Sequence, residues 1–271
     1  MTTTTTAPDF AAIKQRQQAA WSTGNYAVVG TTLQIVGELI AEEMNLQPGW
    51  RVLDVAAGNG NATLAAARRW CDVTSTDYVG ALLANGRARA EAEGLKVAFQ
   101  EADAEALPFE DASFDAAVST FGVMFTPNQE QGASEMLRVT RSGGRIGLAN
   151  WTPDSFIGQL FKIIGAHVPP PAGVRSPALW GTEGRIKELF AGHQVAVTKR
   201  YFNFRYKSPN HWLEIFRTYY GPTNRAFAAL EGGREDALEA DILTLLTTMN
   251  TSGNETLLIP SEYLSVVLTK R

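Results

Sequence analysis

Between residues 50 and 151 the spacing of apolar positions alternates between two periods. Val52-Leu53-Asp54-Val55 is a short apolar run holding one acid, and it predicts a strand over 52–55. The alanine-rich segment 62–70 predicts a helix. β-Branched residues over 72–76, ending at Asp77, predict a second strand. A helix over 81–93, stopped by Gly94, leads to a strand over 97–100. A strand over 114–119, a helix over 129–140, a turn at Ser142-Gly143-Gly144 and a strand over 145–150 complete the series. Strands that alternate with helices in this way imply a parallel sheet covered on both faces.

On either side the pattern differs. Segments 10–22 and 28–45 have helical character, with Leu33, Val36, Leu39 and Ile40 at three-to-four-residue spacing, and Pro48-Gly49 ends them. After Trp151, residues 152–181 contain Pro169-Pro170-Pro171 and no clear period, which reads as a long excursion. A short helix is predicted over 183–190. Segments 193–206 and 263–269 alternate like strands. Between them lie helices, including 236–249, where Leu238, Ile242, Leu245 and Met249 form one stripe. Two late strands separated by helices predict a closing pair at the sheet edge. No internal repeat divides the chain, so residues 1–271 read as one domain. Its parts are a tail and helices over 1–45, a core over 46–151, added segments over 152–181 and 208–254, and closing strands over 193–206 and 262–270.

Composition narrows the function classes. The chain has 271 residues, 45% of them hydrophobic, enough for one sizeable core. Its net charge is −4 and it carries no basic stripe, which argues against a nucleic-acid partner. A single cysteine, Cys71, excludes an internal disulfide framework and a cysteine-rich metal site, and it reads as a small core residue. His167, His193 and His211 show no metal spacing, so no metal is expected. No apolar run is long enough to span a bilayer. The start MTTTTTAPDF lacks the basic and apolar regions of a secretion signal, and reads as a flexible tail on a cytoplasmic protein. Oligomeric state is not legible.

The chemistry lies in VLDVAAGNGNATLAAA, residues 52–67. A strand, a small-residue turn and a helix start in succession form an arrangement that binds nucleotides. The dinucleotide fingerprint needs a third glycine where Thr63 stands. Asp54, inside the strand two residues before the turn, would repel a pyrophosphate. It suits a cationic or zwitterionic ligand. S-adenosylmethionine carries an amino group, a sulfonium and no phosphate, and an acid at the turn can hold that amino group directly or through water.

With these residues the chain resembles the class I S-adenosylmethionine-dependent methyltransferases, and within them the ubiquinone-biosynthesis-like small-molecule group. The resemblance runs from residue 50 to residue 151, with a weaker echo over 263–269. It implies a doubly wound α/β fold, a mostly parallel seven-stranded sheet of Rossmann-like type with a helical lid. VLDVAAGNGNAT matches the family's first motif, so Asp54, Ala56, Gly58 and Gly60 are expected at the methionine end of the ligand. Asp77, at the end of strand two, matches the acid that grips the ribose hydroxyls, and Tyr78 is expected on the adenine. Asp103 and Ala104, in QEADAEALPFEDASFD, match the positions at the adenine edge. Ser119, Thr120 and Phe121 are expected to face the ligand. Tyr26 belongs to an N-terminal segment that closes over the ligand in related enzymes. One position departs from the family, which usually has glycine at position 56. If the backbone there needs a positive φ, Ala56 costs about 1 kcal/mol.

The resemblance also implies a reaction, methyl transfer to a small-molecule acceptor with S-adenosylhomocysteine as the other product. No Asn-Pro-Pro-Tyr-like motif follows strand four, where the chain reads STFGVMFTPN. That argues against methylation of base or glutamine amino groups. The expected acceptor is a small, largely apolar or aromatic molecule methylated at oxygen or carbon, held beneath the lid segments 152–181 and 208–254. Trp212, Phe216, Tyr219 and Tyr220 have helical spacing and suit both core and lid. His167, Tyr219 and Tyr220 are the candidates for a general base. Two alternatives remain open at this point: a cofactor-binding protein without methyl transfer, and an NAD(P)-dependent oxidoreductase, which Asp54 and Thr63 disfavour.

Overall fold

A computed structural model describes residues 8–271; the threonine-rich start, and the tail expected there, lie outside the described residues. The strands are β1 (Arg51–Val55), β2 (Asp72–Asp77), β3 (Val97–Glu101), β4 (Phe114–Thr120), β5 (Thr140–Trp151), β6 (Gln194–Tyr206) and β7 (Leu257–Thr269). They form a seven-stranded sheet in the order β3-β2-β1-β4-β5-β7-β6. The first five strands pair in parallel, and β7 runs antiparallel to both neighbours. Strand order reverses between β1 and β4. In an open α/β sheet that reversal opens a crevice at the carboxyl ends of the strands.

Eleven helices surround the sheet among the described residues. They are α1 (Phe10–Trp21), α2 (Ala27–Gly30), α3 (Gln34–Glu43), α4 (Asn61–Ala67), α5 (Gly80–Ala92), α6 (Gln129–Val139), α7 (Phe156–His167), α8 (Glu183–Leu189), α9 (Pro209–Tyr219), α10 (Gly221–Ala228) and α11 (Arg234–Met249). Ile40 of α3 and Ala62, Ala65 and Ala66 of α4 pack with Val52, Ala116 and Val118 of β1 and β4. Met136 and Val139 of α6 join Ile146 and Leu148 of β5 in the larger core. None of the helices is long and apolar enough to cross a membrane.

Three expectations change. The helix predicted over 62–70 ends at Ala67. Arg68 and Arg69 turn back onto Glu38, Glu42 and Glu93, and Trp70 adopts a left-handed φ of 61°. The turn expected at Ser142-Gly143-Gly144 lies inside β5, whose register against β4 shifts between Phe114 and Ala116. The excursion over 152–181 contains α7. Ser155 caps it, its hydroxyl accepting from Gly158 N at 3.1 Å. FIGQLFKIIGAH carries an amphipathic stripe that the prolines at 169–171, just past its end, obscure when 152–181 is read as one segment.

The closing strands do more than end the sheet. β6 and β7 pair over 13 residues, whereas β5 meets β7 only from Tyr263 onward. The other end of the β6–β7 ribbon therefore projects past the sheet. Helices α7, α9 and α11 gather around it, α7 and α9 through aromatic contacts. Phe204 of the ribbon lies 5.3 Å from Phe156 and 6.1 Å from Phe216, and Trp212 stacks on Phe216 at 3.8 Å.

Candidate functional site

The turn after β1 is built on left-handed backbone. Ala56, Gly58 and Gly60 have φ of 52°, 57° and 83°. Ala57 N donates to Thr76 O at 2.8 Å, and Gly60 N donates to Ala57 O at 2.9 Å. A positive φ costs glycine nothing, but at Ala56 it stores strain. Ala56→Gly is therefore expected to raise stability by about 0.5–1 kcal/mol. Urea unfolding checks this; a loss of stability would show that the turn is unstrained.

Asp77 anchors the same turn from β2. Its Oδ2 accepts from Gly58 N and its Oδ1 from Val79 N, both at 2.9 Å. The side chain is 4% exposed, and burial pushes its carboxyl up to about 6 despite these backbone donors. Asp54 is more deeply set. Burial pushes it up to about 7, opposed by the Thr63 hydroxyl that donates to Oδ2 at 2.6 Å. Its Oδ1 is buried without a partner. Neither acid has a cation beside it among the described residues; each owes its modest stabilisation to neutral donors.

Asp77 and the turn it anchors border a cleft of about 850 Å³ at the carboxyl ends of β1, β2 and β4. Ala56, Gly58, Asp77, Tyr78, Asp103 and Ala104 line it, as do Tyr26, Thr120 and Phe121. Helix α1 closes one side. Lys14 Nζ meets Asp103 Oδ2 at 2.5 Å and Glu105 Oε2 at 3.2 Å, and Gln18 Nε2 donates to Tyr78 O. Lys14 is the single basic side chain among the described lining residues.

Beyond Phe121 the cleft meets a second cavity of about 360 Å³. Trp21, Tyr26, Leu33, Phe121 and Phe125 border both spaces. Val29, Trp151, Ile157, Phe204, Phe216 and Tyr220 complete the second wall. Phe121 holds a left-handed φ of 59° and stacks on Trp151 with ring centres 4.0 Å apart and planes 4° from parallel. Segment 208–254 thus contributes the rings of Phe216 and Tyr220 to this wall.

Five of the anticipated residues stand elsewhere. Asp54, Gly60 and Ser119 lie behind the cleft wall. Ser119 is fully buried; its hydroxyl donates to Val55 O at 2.7 Å and accepts from Val123 N at 3.0 Å, which ties β4 to β1. Asp54 points toward Thr63 of α4, so direct contact with a ligand is replaced by a place beneath the turn. His167 lines neither cavity; its Nε2 meets Asp241 at 2.7 Å and links α7 to α11. Tyr219 also lines neither cavity, whereas its neighbour Tyr220 does. Sequence reasoning missed Lys14, Glu105 and Gly122. The glycine directly after Phe121 was the available signal for the last; nothing local marked the first two.

Comparison with known proteins bears on this geometry. A family model described as a methyltransferase domain matches residues 52–144. An uncharacterized protein of Mycobacterium tuberculosis is 38% identical over 232 residues, 83% of this chain and 85% of that protein. A ubiquinone/menaquinone biosynthesis C-methyltransferase of Brucella anthropi is 45% identical over 104 residues, 36% of this chain and 40% of that one. In fold, the chain is similar to the YcgJ protein of Bacillus subtilis, with a TM-score of 0.61 and 20% identity across 86% of this chain and 97% of that one.

Proposed function

The chain belongs to the class I S-adenosylmethionine-dependent methyltransferases, and from that premise we propose that it methylates a small, apolar or aromatic acceptor held in the aromatic cavity. The observation that carries this reading is the junction of two spaces. A cleft with uncompensated acids adjoins a cavity walled by rings, and Phe121 borders both.

The cleft fits the donor by charge and shape. The orphaned Asp54 Oδ1 and the unpaired Asp77 favour a cation, and the missing side chain at Gly58 leaves room for close approach. Asp77 would hold the ribose hydroxyls with the lone pairs its two backbone donors leave free. Tyr78, Asp103 and Ala104 would meet the adenine. Ala56, Gly58 and Thr120 would surround the methionine end, with Asp54 acting through the turn or a bridging water. Bound there, S-adenosylmethionine supplies a methyl group already activated on a sulfonium. The protein's own work is then orientation and exclusion of water. Phe121, braced by Trp151, would set the acceptor plane. Segments 152–181 and 208–254, through Phe216 and Tyr220 above all, would form the lid that selects the acceptor.

The raised carboxyls give a pH signature. Both acids titrate above their ordinary value of 3.8, at about 6 and about 7, so acidification through that range removes negative charge from the cleft. Donor affinity is expected to fall about tenfold between pH 8 and pH 5. The free protein behaves oppositely. A carboxyl raised in the fold binds protons more tightly there than in the unfolded chain, so its contribution to stability falls as pH rises from about 4 to about 7. The melting-temperature gain from ligand should therefore grow with pH. Calorimetry of S-adenosylhomocysteine across this range is the check, and affinity that is flat or improves in acid would count against charged acids at the donor.

The reading as a whole is tested by incubating the protein with methyl-labelled S-adenosylmethionine and a panel of small aromatic acceptors. Label on an acceptor supports it. Donor binding without transfer to any cavity-sized acceptor would favour a cofactor-binding role.

A further inference from the structure

The donor cleft presents acids to its ligand and little positive charge. Asp54 and Asp77 have no cation beside them, and Lys14 is paired with Asp103 and Glu105. The methionine end of S-adenosylmethionine carries a carboxylate as well as an ammonium, so acids alone would oppose one of its two groups. A positive charge stands behind the turn instead. Arg89 of α5 donates from Nη1 to Asn59 O at 2.7 Å and to Asn61 Oδ1 at 2.8 Å, and from Nη2 to Gln34 Oε1 at 3.3 Å. In the amide orientation that satisfies both ends of its side chain, Asn59 Oδ1 accepts from Arg89 Nη1 at 3.0 Å and from Thr31 N at 3.3 Å. All these partners are neutral. No carboxylate lies within ion-pair distance of Arg89 among the described residues, and Glu93, which acts on it from farther off, is bound by Arg68. A guanidinium keeps its charge in a protein, so this one is left without a counter-ion.

The contacts of Arg89 converge on the methionine end. Asn59 and Asn61 are buried and line the cleft. Asn61 Nδ2 donates to Gly30 O at 2.7 Å, and Gly30 N donates to Tyr26 O at 2.7 Å, so the same cluster holds α2 and the tyrosine before it. The Tyr26 ring lies over Gly58, where a β-carbon would come within 3.2 Å of it. We infer that Arg89 is a positioning residue for the amino-acid end of the donor: it fixes the turn and Tyr26 through Asn59 and Asn61, and its charge offsets the ligand's carboxylate from behind the turn. The inference rests on the methyl-transfer reading above. Arg89 lines neither cavity and acts through the residues that do. Its planar fork reaches acceptors on three segments at once, which a lysine's single ammonium would not.

The test compares three ligands by calorimetry on the full-length protein: S-adenosylhomocysteine, its decarboxylated form, and 5′-methylthioadenosine, which lacks the amino-acid end. Acids alone would favour the decarboxylated form, which carries a net positive charge. With Arg89 in place, the unmodified protein is expected to bind S-adenosylhomocysteine about tenfold more tightly than the decarboxylated form. Arg89→Met keeps an unbranched stem and removes the charge and the fork. It should weaken S-adenosylhomocysteine about tenfold and leave methylthioadenosine within about twofold. Arg89→Lys keeps the charge and should recover part of the preference for the carboxylate. A decarboxylated form that binds the unmodified protein as tightly as S-adenosylhomocysteine would overturn the role of Arg89 without any variant. In folded Arg89→Met, equal losses for all three ligands would mark a merely structural arginine and overturn it too, as would no loss for any. An unmodified protein that binds none of the three would overturn the methyl-transfer reading beneath.

Discussion

Replacing Asp77 by alanine is expected to weaken S-adenosylmethionine binding by about a hundredfold or more. Each charge-assisted hydrogen bond that its carboxylate would make to a ribose hydroxyl is worth about 1.5–3 kcal/mol, and about 1.4 kcal/mol is a factor of ten. The loss reaches further than the ribose. Asp77 also accepts from Gly58 N and Val79 N, so it fixes the turn that cradles the methionine end. Alanine would leave both N–H groups unpartnered in a buried place, at about 1–3 kcal/mol each, offset by removal of a carboxylate that burial already strains. Some loss of melting temperature should accompany the loss of affinity. Asp77→Asn separates the two effects, because the amide keeps one acceptor oxygen and the side chain's shape. It should lie nearer the original in stability than in donor affinity. Calorimetry of S-adenosylhomocysteine against both variants decides the matter, and unchanged affinity in folded Asp77→Ala would remove the ribose role.

Asp77 was legible in the sequence for a reason that also explains what was not. It stands at a strand end, so a β-branched run followed by an acid fixes both its place and its direction. Gly58 and Tyr78 follow from the same local logic. Asp54 shows the limit of that logic. An acid inside a strand is visible, but whether it faces the ligand or turns inward to Thr63 depends on how α4 packs over β1. Tyr219 and Tyr220 differ by one residue; only the orientation of α9 decides which ring meets the cavity. Lys14 reaches Asp103 across 89 residues of chain, a pairing no spacing rule contains. The aromatic cavity draws its wall from α1, α2, strands β5 and β6, the exit of β4 and helices α7 and α9. Each ring read alone was only an apolar residue suited to a core. The parallel core, by contrast, follows from the alternating periods, and its seven strands were what the family resemblance implied.

Gly122→Ala is expected to destabilise the protein by about 1–3 kcal/mol and to weaken the donor at least tenfold. Its own backbone is ordinary, with φ −91° and ψ −61°, so alanine carries no penalty from conformation. The cost comes from space. A β-carbon there would lie 2.1 Å from the Ala56 carbonyl oxygen and 2.7 Å from the Ala56 side chain. The carbonyl cannot swing away. Ala57 N is bound to Thr76 O and Gly58 N to Asp77, so the turn is held on the residues immediately following. The exit of β4 would have to move off the turn instead, carrying Phe121 and separating the walls that meet the methionine end. Combining Gly122→Ala with Ala56→Gly makes the cause visible. Glycine at position 56 removes the side-chain contact and the left-handed strain, but the carbonyl oxygen stays where it was. The double variant should therefore recover no more than Ala56→Gly gains alone. Urea unfolding and donor calorimetry on the four proteins give the coupling directly. Full rescue by Ala56→Gly would place the conflict at the side chain, and an unaffected Gly122→Ala would mean that the ends of β1 and β4 part without cost.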